Sequence, residues 1–296
     1  MPVVTLSEAS IAYELEGTGK GEPLLLIMGI GGQLIQWPPE FKEALIQLGF
    51  DLILVDNRDA GLSSSMDHMG IPDTNKAVLQ QYLGQPVKGA YSLENMAKDN
   101  YELLQHIGIE RCHILGISMG SMIAQIFAAK YSQATKSLNL FHSNTGRRRH
   151  GLMKPKAFFA LSNRGGAQSK EDFIENFVNL FRVVGSPNHQ RPESQLRQFA
   201  NIAYDRGVNP SGFKRQLMAI LSTGNRERFF QNIQAPTAIV HGHKDPLMPL
   251  SGGRALVREI PNARGYFFKD LGHDLPPIYC ETFAQIVRNN ADLGKE

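Results

Sequence analysis

The run Pro23-Leu-Leu-Leu-Ile-Met28 is apolar at every position, and a strand can bury both of its faces only inside a sheet that is covered on both sides. Similar short runs recur at Asp51 to Val55, Cys112 to Ile117, Ser137 to His142, Thr237 to His241 and Tyr266 to Phe268, with an earlier strand at Ile11 to Leu15. Helical faces lie between them. Phe41, Ala44, Leu45 and Leu48 follow the helix-starting Pro38 and Pro39, and Leu93, Met96, Leu103, Leu104 and Ile107 follow the capping residue Ser92. Further helices are expected near Gly252 to Glu259 and around Phe283 to Val287. Strands alternating with helices predict an α/β fold: a mostly parallel sheet with helices on both faces.

The rhythm breaks in two places. Ser63 to Ala90 reads as polar and irregular, and from about Asn144 to Asn232 the strand signals give way to helical faces such as Phe173, Phe177, Leu180, Phe181 and Val184. We therefore expect one core domain, residues 1–144 and 232–296, interrupted by an inserted helical cap over residues 145–231.

The net charge of +3 is spread along the chain, which gives no electrostatic case for nucleic acid. The one basic cluster, Arg147-Arg148-Arg149-His150, reads as a solvated loop. The two cysteines, Cys112 and Cys280, form no disulfide framework or metal-ligand pair and read as inert core thiols. No run approaches the roughly 18 apolar residues that span a bilayer. A reduced, cytoplasmic setting without a membrane partner is expected; oligomeric state is not legible.

The strand Cys112 to Ile117 runs directly into Gly116-Ile117-Ser118-Met119-Gly120, and behind it Met122, Ile123, Ala124, Ile126, Phe127, Ala128 and Ala129 form a helix apolar nearly all round. A Gly-x-Ser-x-Gly pentapeptide is weak alone, but its strand–turn–helix context is what a nucleophile elbow requires. The turn projects the serine, and the glycines avoid clashes that side chains would create. Ser118 is the candidate nucleophile.

These features resemble the α/β-hydrolase superfamily from the first strands to the final helix. Leu-Leu-Leu-Ile-Met-Gly, Trp-Pro-Pro-Glu-Phe at 37 to 41, Asp-Asn-Arg-Asp-Ala-Gly-Leu-Ser at 56 to 63 and Gly-Ile-Ser-Met-Gly resemble cap-bearing carboxylesterases related to aclacinomycin methylesterase. The resemblance implies an α/β-hydrolase fold with an eight-stranded sheet and no cofactor.

In such a fold the acid and the histidine follow the serine on loops after late strands. His273, in Leu271-Gly272-His273-Asp274, is the candidate base. Asp245, which ends a Gly-x-x-Asp turn resembling the family's, is the candidate acid, preferred over Asp270 and Asp274 because neighbours on one loop rarely face each other. The oxyanion donors are expected to be the backbone amides of Met119 and Ile30. Met28 departs from the histidine frequent before that loop. Arg58 is expected to pair with carboxylates and hold its turn. Trp37 and His142 are candidate substrate contacts, although an aromatic at 37 suits a core equally well.

His241-x-His243-x-Asp245 has the alternation of a metal site on one strand face, but it would leave the elbow without a role, so no metal is expected. The chain is expected to hydrolyse a small carboxylic ester, with carbon–carbon, lactone, amide or peracid chemistry on the same triad, or a weakly catalytic receptor, as alternatives. Serine at 118 argues against dehalogenase and epoxide hydrolase chemistry, which need a carboxylate nucleophile.

Overall fold

The computed structural model describes residues 1–150 and 153–295. Its strands are β1 (Val3–Thr5), β2 (Ser10–Glu16), β3 (Glu22–Ile27), β4 (Phe50–Val55), β5 (Cys112–Ile117), β6 (Thr135–Phe141), β7 (Thr237–Gly242) and β8 (Ala263–Phe268). They form one eight-stranded sheet of order β1-β2-β4-β3-β5-β6-β7-β8. From β4 across to β8 every pairing is parallel, while β2 joins β1 and β4 antiparallel.

The helices in chain order are α1 (Pro39–Gln47), α2 (Thr74–Tyr82), α3 (Leu93–His106), α4 (Met119–Lys130), α5 (Pro155–Ser162), α6 (Lys170–Val184), α7 (Glu193–Arg206), α8 (Pro210–Thr223), α9 (Glu227–Phe230), α10 (Leu250–Glu259) and α11 (Cys280–Asp292). The continuous apolar strands are explained by two cores. Leu25, Ile27, Ile53, Ile114 and Leu138 pack towards α3 and α4. Their neighbours Leu24, Leu26, Leu52, Leu54, Leu115 and Val240 pack towards α1 and α11 on the other face, as the two-residue period of a strand requires. Helices α5 to α8 form an insert between β6 and β7. Among the described residues no helix is long and apolar enough to cross a membrane.

One expectation is corrected. Residues 63–90 are not irregular throughout, because α2 lies inside them, started by the Asp73 carboxylate accepting the Lys76 N–H at 3.0 Å. This short helix has little apolar periodicity of its own; its buried Ala77 joins a small cluster with Val87 and Met218 of α8, so tertiary packing supplies what propensity does not. The edge strand β1 was also not legible, being three residues long.

The connectivity positions the site. The chain leaves β3 for β4 on one side, whereas β5 pairs with β3 on the other, so the loops after β3 and β5 diverge and open a crevice at the carboxyl ends of the strands. Helix α4 starts in that crevice, very close to β3. A Cβ at Gly120 would lie 1.9 Å from the Ile27 carbonyl oxygen, and one at Gly116 would lie 2.3 Å from the Gly120 carbonyl oxygen. Both obstacles are backbone, so Gly120→Ala is expected to cost about 3 kcal/mol or more and to lower Tm by roughly 10 °C. A thermal melt within 2 °C of wild type would contradict this crowding.

Candidate active site

Ser118 stands between β5 and α4 with φ 55° and ψ −118°. Its N–H donates to the Phe141 carbonyl at 2.9 Å, which ties the turn to the neighbouring strand. Non-glycine residues in the left-handed region are strained by about 1–3 kcal/mol and gather at functional sites. Asp59, Ser118 and His142, which follow β4, β5 and β6, are three of the four such residues described.

The loop after β7 turns on Asp245. One carboxylate oxygen, Oδ1, accepts the N–H groups of Leu247 (2.9 Å) and Met248 (2.8 Å). The other, Oδ2, accepts Nδ1–H of His273 at 2.7 Å. His142 Nδ1 lies 3.3 Å from that same oxygen and His241 Nε2 lies 3.8 Å from it. Burial alone would raise the Asp245 pKa, but the charge and the hydrogen bond of His273, with His142 close by, outweigh it and hold the carboxyl below its usual range. Of the carboxylates weighed from the sequence, Asp245 is the one bonded to His273. Asp274 turns away to accept the N–H and hydroxyl of Ser186, the latter at 2.6 Å.

His273 itself is positioned by the insert. Its N–H donates to the Val184 carbonyl at 2.7 Å at the end of α6, and the Ser186 hydroxyl accepts the Gly272 N–H at 2.9 Å. A Cβ at Gly272 would lie 2.5 Å from the Val184 carbonyl oxygen, so only glycine permits the loop to approach so closely.

Ser118 and His273 open onto one cavity of about 650 Å³. Gly29 and Ile30 line it beside them, and a Cβ at Gly29 would sit 3.2 Å from the Ser118 Cβ. Met119 is the first residue of α4, so the helix offers its N–H no acceptor. The remaining wall is dominated by apolar side chains from the insert, including Phe158, Phe177, Phe181, Phe199, Leu217 and Ile220.

Two expected substrate contacts lie elsewhere. Trp37 is fully buried against Phe41, ring centroids 6.1 Å apart, and belongs to the core under α1. His142 is also fully buried and is absent from the cavity wall; its Nε2 faces the Asp274 carbonyl at 3.1 Å. The alternation His241-x-His243-x-Asp245 does not converge, because His243 is exposed while His241 donates Nε2–H to the Met248 carbonyl at 2.8 Å. His142, Asp245 and His273 bring metal-ligand atom types within 4.8 Å of one another, but the Asp245 oxygen is already engaged by His273.

Arg147 is not merely solvated: it pairs with Glu227, and with Arg148 it borders the cavity. The Arg149 side chain lies outside the described residues. Arg58 makes a two-pronged, buried pair with Asp99 at 2.6 and 2.7 Å. The buried Cys112 and Cys280 thiols are unpaired, and burial pushes both up to about 12.

Residues 22–276 match the family model described as alpha/beta hydrolase fold. The chain belongs to the α/β-hydrolase fold family. Over 294 residues it is 26% identical to a 2-hydroxy-6-oxononadienedioate/2-hydroxy-6-oxononatrienedioate hydrolase of Paraburkholderia phymatum, covering 95% of this chain and 90% of that one. It is 22% identical to the rhodomycin D methylesterase DnrP of Streptomyces peucetius, covering 96% of each. A solved hydrolase from Pseudomonas aeruginosa PA01 superposes with a TM-score of 0.72 at 20% identity, over 98% of this chain and 97% of that one; a likeness of this kind speaks to the fold alone. The named relatives of this α/β-hydrolase are a dioate hydrolase and a methylesterase, and the comparisons do not separate ester from carbon–carbon cleavage for this chain.

His241 supplies a test of the buried polar cluster. Burial lowers its pKa to about 4, against a smaller raising effect from Asp245, so it folds neutral and must gain a proton in acid. Its contribution is fully present above about pH 6.5 and declines as pH falls towards 4. The stability of wild type relative to His241→Gln is expected to fall by roughly 2–3 kcal/mol between pH 7 and pH 4; a pH-independent difference in urea titrations would contradict it.

Proposed function

We propose that this α/β-hydrolase cleaves carboxylic esters with a sizeable apolar portion, through an acyl-enzyme on Ser118. His273 takes the hydroxyl proton as Ser118 Oγ attacks the ester carbonyl, then returns it to the leaving alcohol. Asp245 orients the imidazole and offsets the positive charge that develops on it. The backbone N–H groups of Ile30 and Met119 receive the negative charge on the carbonyl oxygen. Water, activated by the same histidine, then releases the acid. Residues 145–231 serve as the cap that encloses the apolar part of the substrate, and no metal or organic cofactor takes part.

One observation carries this reading: a serine in the left-handed region opens onto the same cavity as an imidazole whose other nitrogen is bonded to a buried carboxylate 2.7 Å away. An ester is favoured over a dioate of the kind named for the Paraburkholderia relative because two guanidinium groups at the wall already have carboxylate partners and the third, Arg226, has its N–H groups committed to neutral acceptors. Arg191 lies 3.3 Å from Glu40, Arg147 pairs with Glu227, and the buried Arg226 donates to Gln125, Gly224 and Asn144. The cavity volume also exceeds what a short ester fills, which shifts the expected substrate from small to medium-sized or bulky.

Ser118→Ala is expected to lose on the order of 10⁴-fold in kcat on p-nitrophenyl esters, and undiminished turnover would falsify the reading. Across p-nitrophenyl acetate, butyrate and octanoate, kcat/KM is expected to rise by about 30-fold or more, since each buried CH₂ contributes about 0.8 kcal/mol. A preference for acetate would contradict the assignment of the apolar wall to substrate.

A further inference from the structure

Helix α8 carries two faces with different tasks. Leu217, Ile220 and Leu221 line the cavity. Gly212, Arg215, Gln216 and Ala219, at helical spacing, dock onto the sheet domain instead. Gly212 allows close approach, since a Cβ there would lie 2.5 Å from the Asp59 carbonyl oxygen. Arg215 clasps the Asp59 carboxylate at 2.7 and 2.9 Å, and the Tyr91 hydroxyl donates to the same group at 2.8 Å. Ala219 is fully buried.

Gln216, also fully buried, reaches furthest. Its Oε1 accepts the Gly31 N–H at 2.7 Å, and its Nε2 donates to the Arg58 carbonyl at 2.7 Å. The loop it holds is short. Gly32 N–H donates to the Gly29 carbonyl at 3.0 Å, closing a turn around Ile30 and Gly31, with Gly31 at φ 62°. The Ile30 N–H belongs to the same peptide unit as the Gly29 carbonyl, and in a trans peptide the two point in opposite directions. That unit is fixed on one side by Gly32, and the next unit is fixed by Gln216. Without Gln216, the turn keeps only its own Gly32–Gly29 bond to set the direction of the Ile30 N–H.

We propose that Gln216 is a positioning residue that locks the Gly29–Gly32 loop from the insert, so that the Ile30 N–H is aimed at the reacting carbonyl oxygen. The inference rests on the reading above, in which that N–H is an oxyanion donor. A donor acts through its placement in the transition state, and misplacement by about 1 Å costs on the order of 10²-fold. The insert therefore does more than enclose substrate: the helix that contacts the apolar part of the ligand through Leu217 and Ile220 also completes the donor pair.

Two full-length variants test this, with p-nitrophenyl octanoate and a p-nitrophenyl phosphonate as probes. Gln216→Leu keeps the volume and loses both bonds; Gln216→Glu keeps an oxygen for the Gly31 N–H and, as the neutral acid that its full burial favours, an O–H for the Arg58 carbonyl. The expected result for Gln216→Leu is a fall in kcat of about 10–100-fold with KM within about 3-fold, an equal fall in the rate of phosphonate inactivation, and a recovery of most of the kcat in Gln216→Glu. Wild-type kcat in Gln216→Leu would overturn the proposal. So would a loss that Gln216→Glu does not recover and that tracks a lowered Tm, which is the behaviour of a residue that only packs. Ser118→Ala separates the two levels: if it stays active the underlying reading fails, whereas a dead Ser118→Ala with an unimpaired Gln216→Leu removes this inference alone.

Discussion

The close crossing of α4 over the ends of β3 and β5 is the constraint on which the site depends. A helix can start directly against the Ile27 and Met28 carbonyls only where no Cβ intervenes, and position 120 meets that condition with glycine, as position 116 does against the Gly120 backbone. Ser118 lies between the two, forced out of the strand conformation into the left-handed region. The strain is held by what surrounds it: the Ser118 N–H bond to Phe141, the Ser121 hydroxyl bonded to the Gly116 and Phe141 carbonyls, and two apolar cores packed on either side of β5.

Around that fixed point, buried polar groups arrange the remaining parts. Every side chain of Asp56-Asn57-Arg58-Asp59 is buried and engaged: Asp56 with Arg206 of α7, Asn57 with the Met28 carbonyl, Arg58 with Asp99 of α3, and Asp59 with Arg215 of α8. Removing one partner of the Asp56–Arg206 or Asp59–Arg215 pair leaves an uncompensated charge, so these two pairs tie α7 and α8 of the insert to the loop after β4. The loops carrying the proposed base and the proposed oxyanion donor are each anchored by the insert, at Val184 and Ser186 for one and at Gln216 for the other. Apolar helices that shape the pocket thus share a framework with the groups proposed to do the chemistry.

Much of this was legible in the sequence for physical reasons. Strands buried on both faces announce themselves as unbroken apolar runs, and β5 has the bounds read from sequence, Cys112–Ile117. The serine turn was legible because its glycines are imposed by crowding. What escaped was whatever depends on partners distant in the chain. α2 packs its buried Ala77 against Met218, some 140 residues on. Gln216 and Ser186 are ordinary polar residues on or beside helices, with no local pattern to mark them. His142 and Trp37 were read as substrate contacts, yet both sit wholly in the interior, one beside Asp245 and the other under α1; a sequence gives the residue type at a strand end but not which side of the loop it takes.

The proposed catalysis needs a serine, an imidazole and two amides to converge at one point in the cavity. A crystal structure of the protein after reaction with a p-nitrophenyl phosphonate tests that directly. The expected result is a covalent bond to Ser118 Oγ, with a phosphonyl oxygen about 2.7–3.1 Å from the amide nitrogens of both Ile30 and Met119 and the His273 ring beside the ester oxygen. A phosphonate attached to another residue, or attached to Ser118 with its oxygen turned away from both amides, would contradict it.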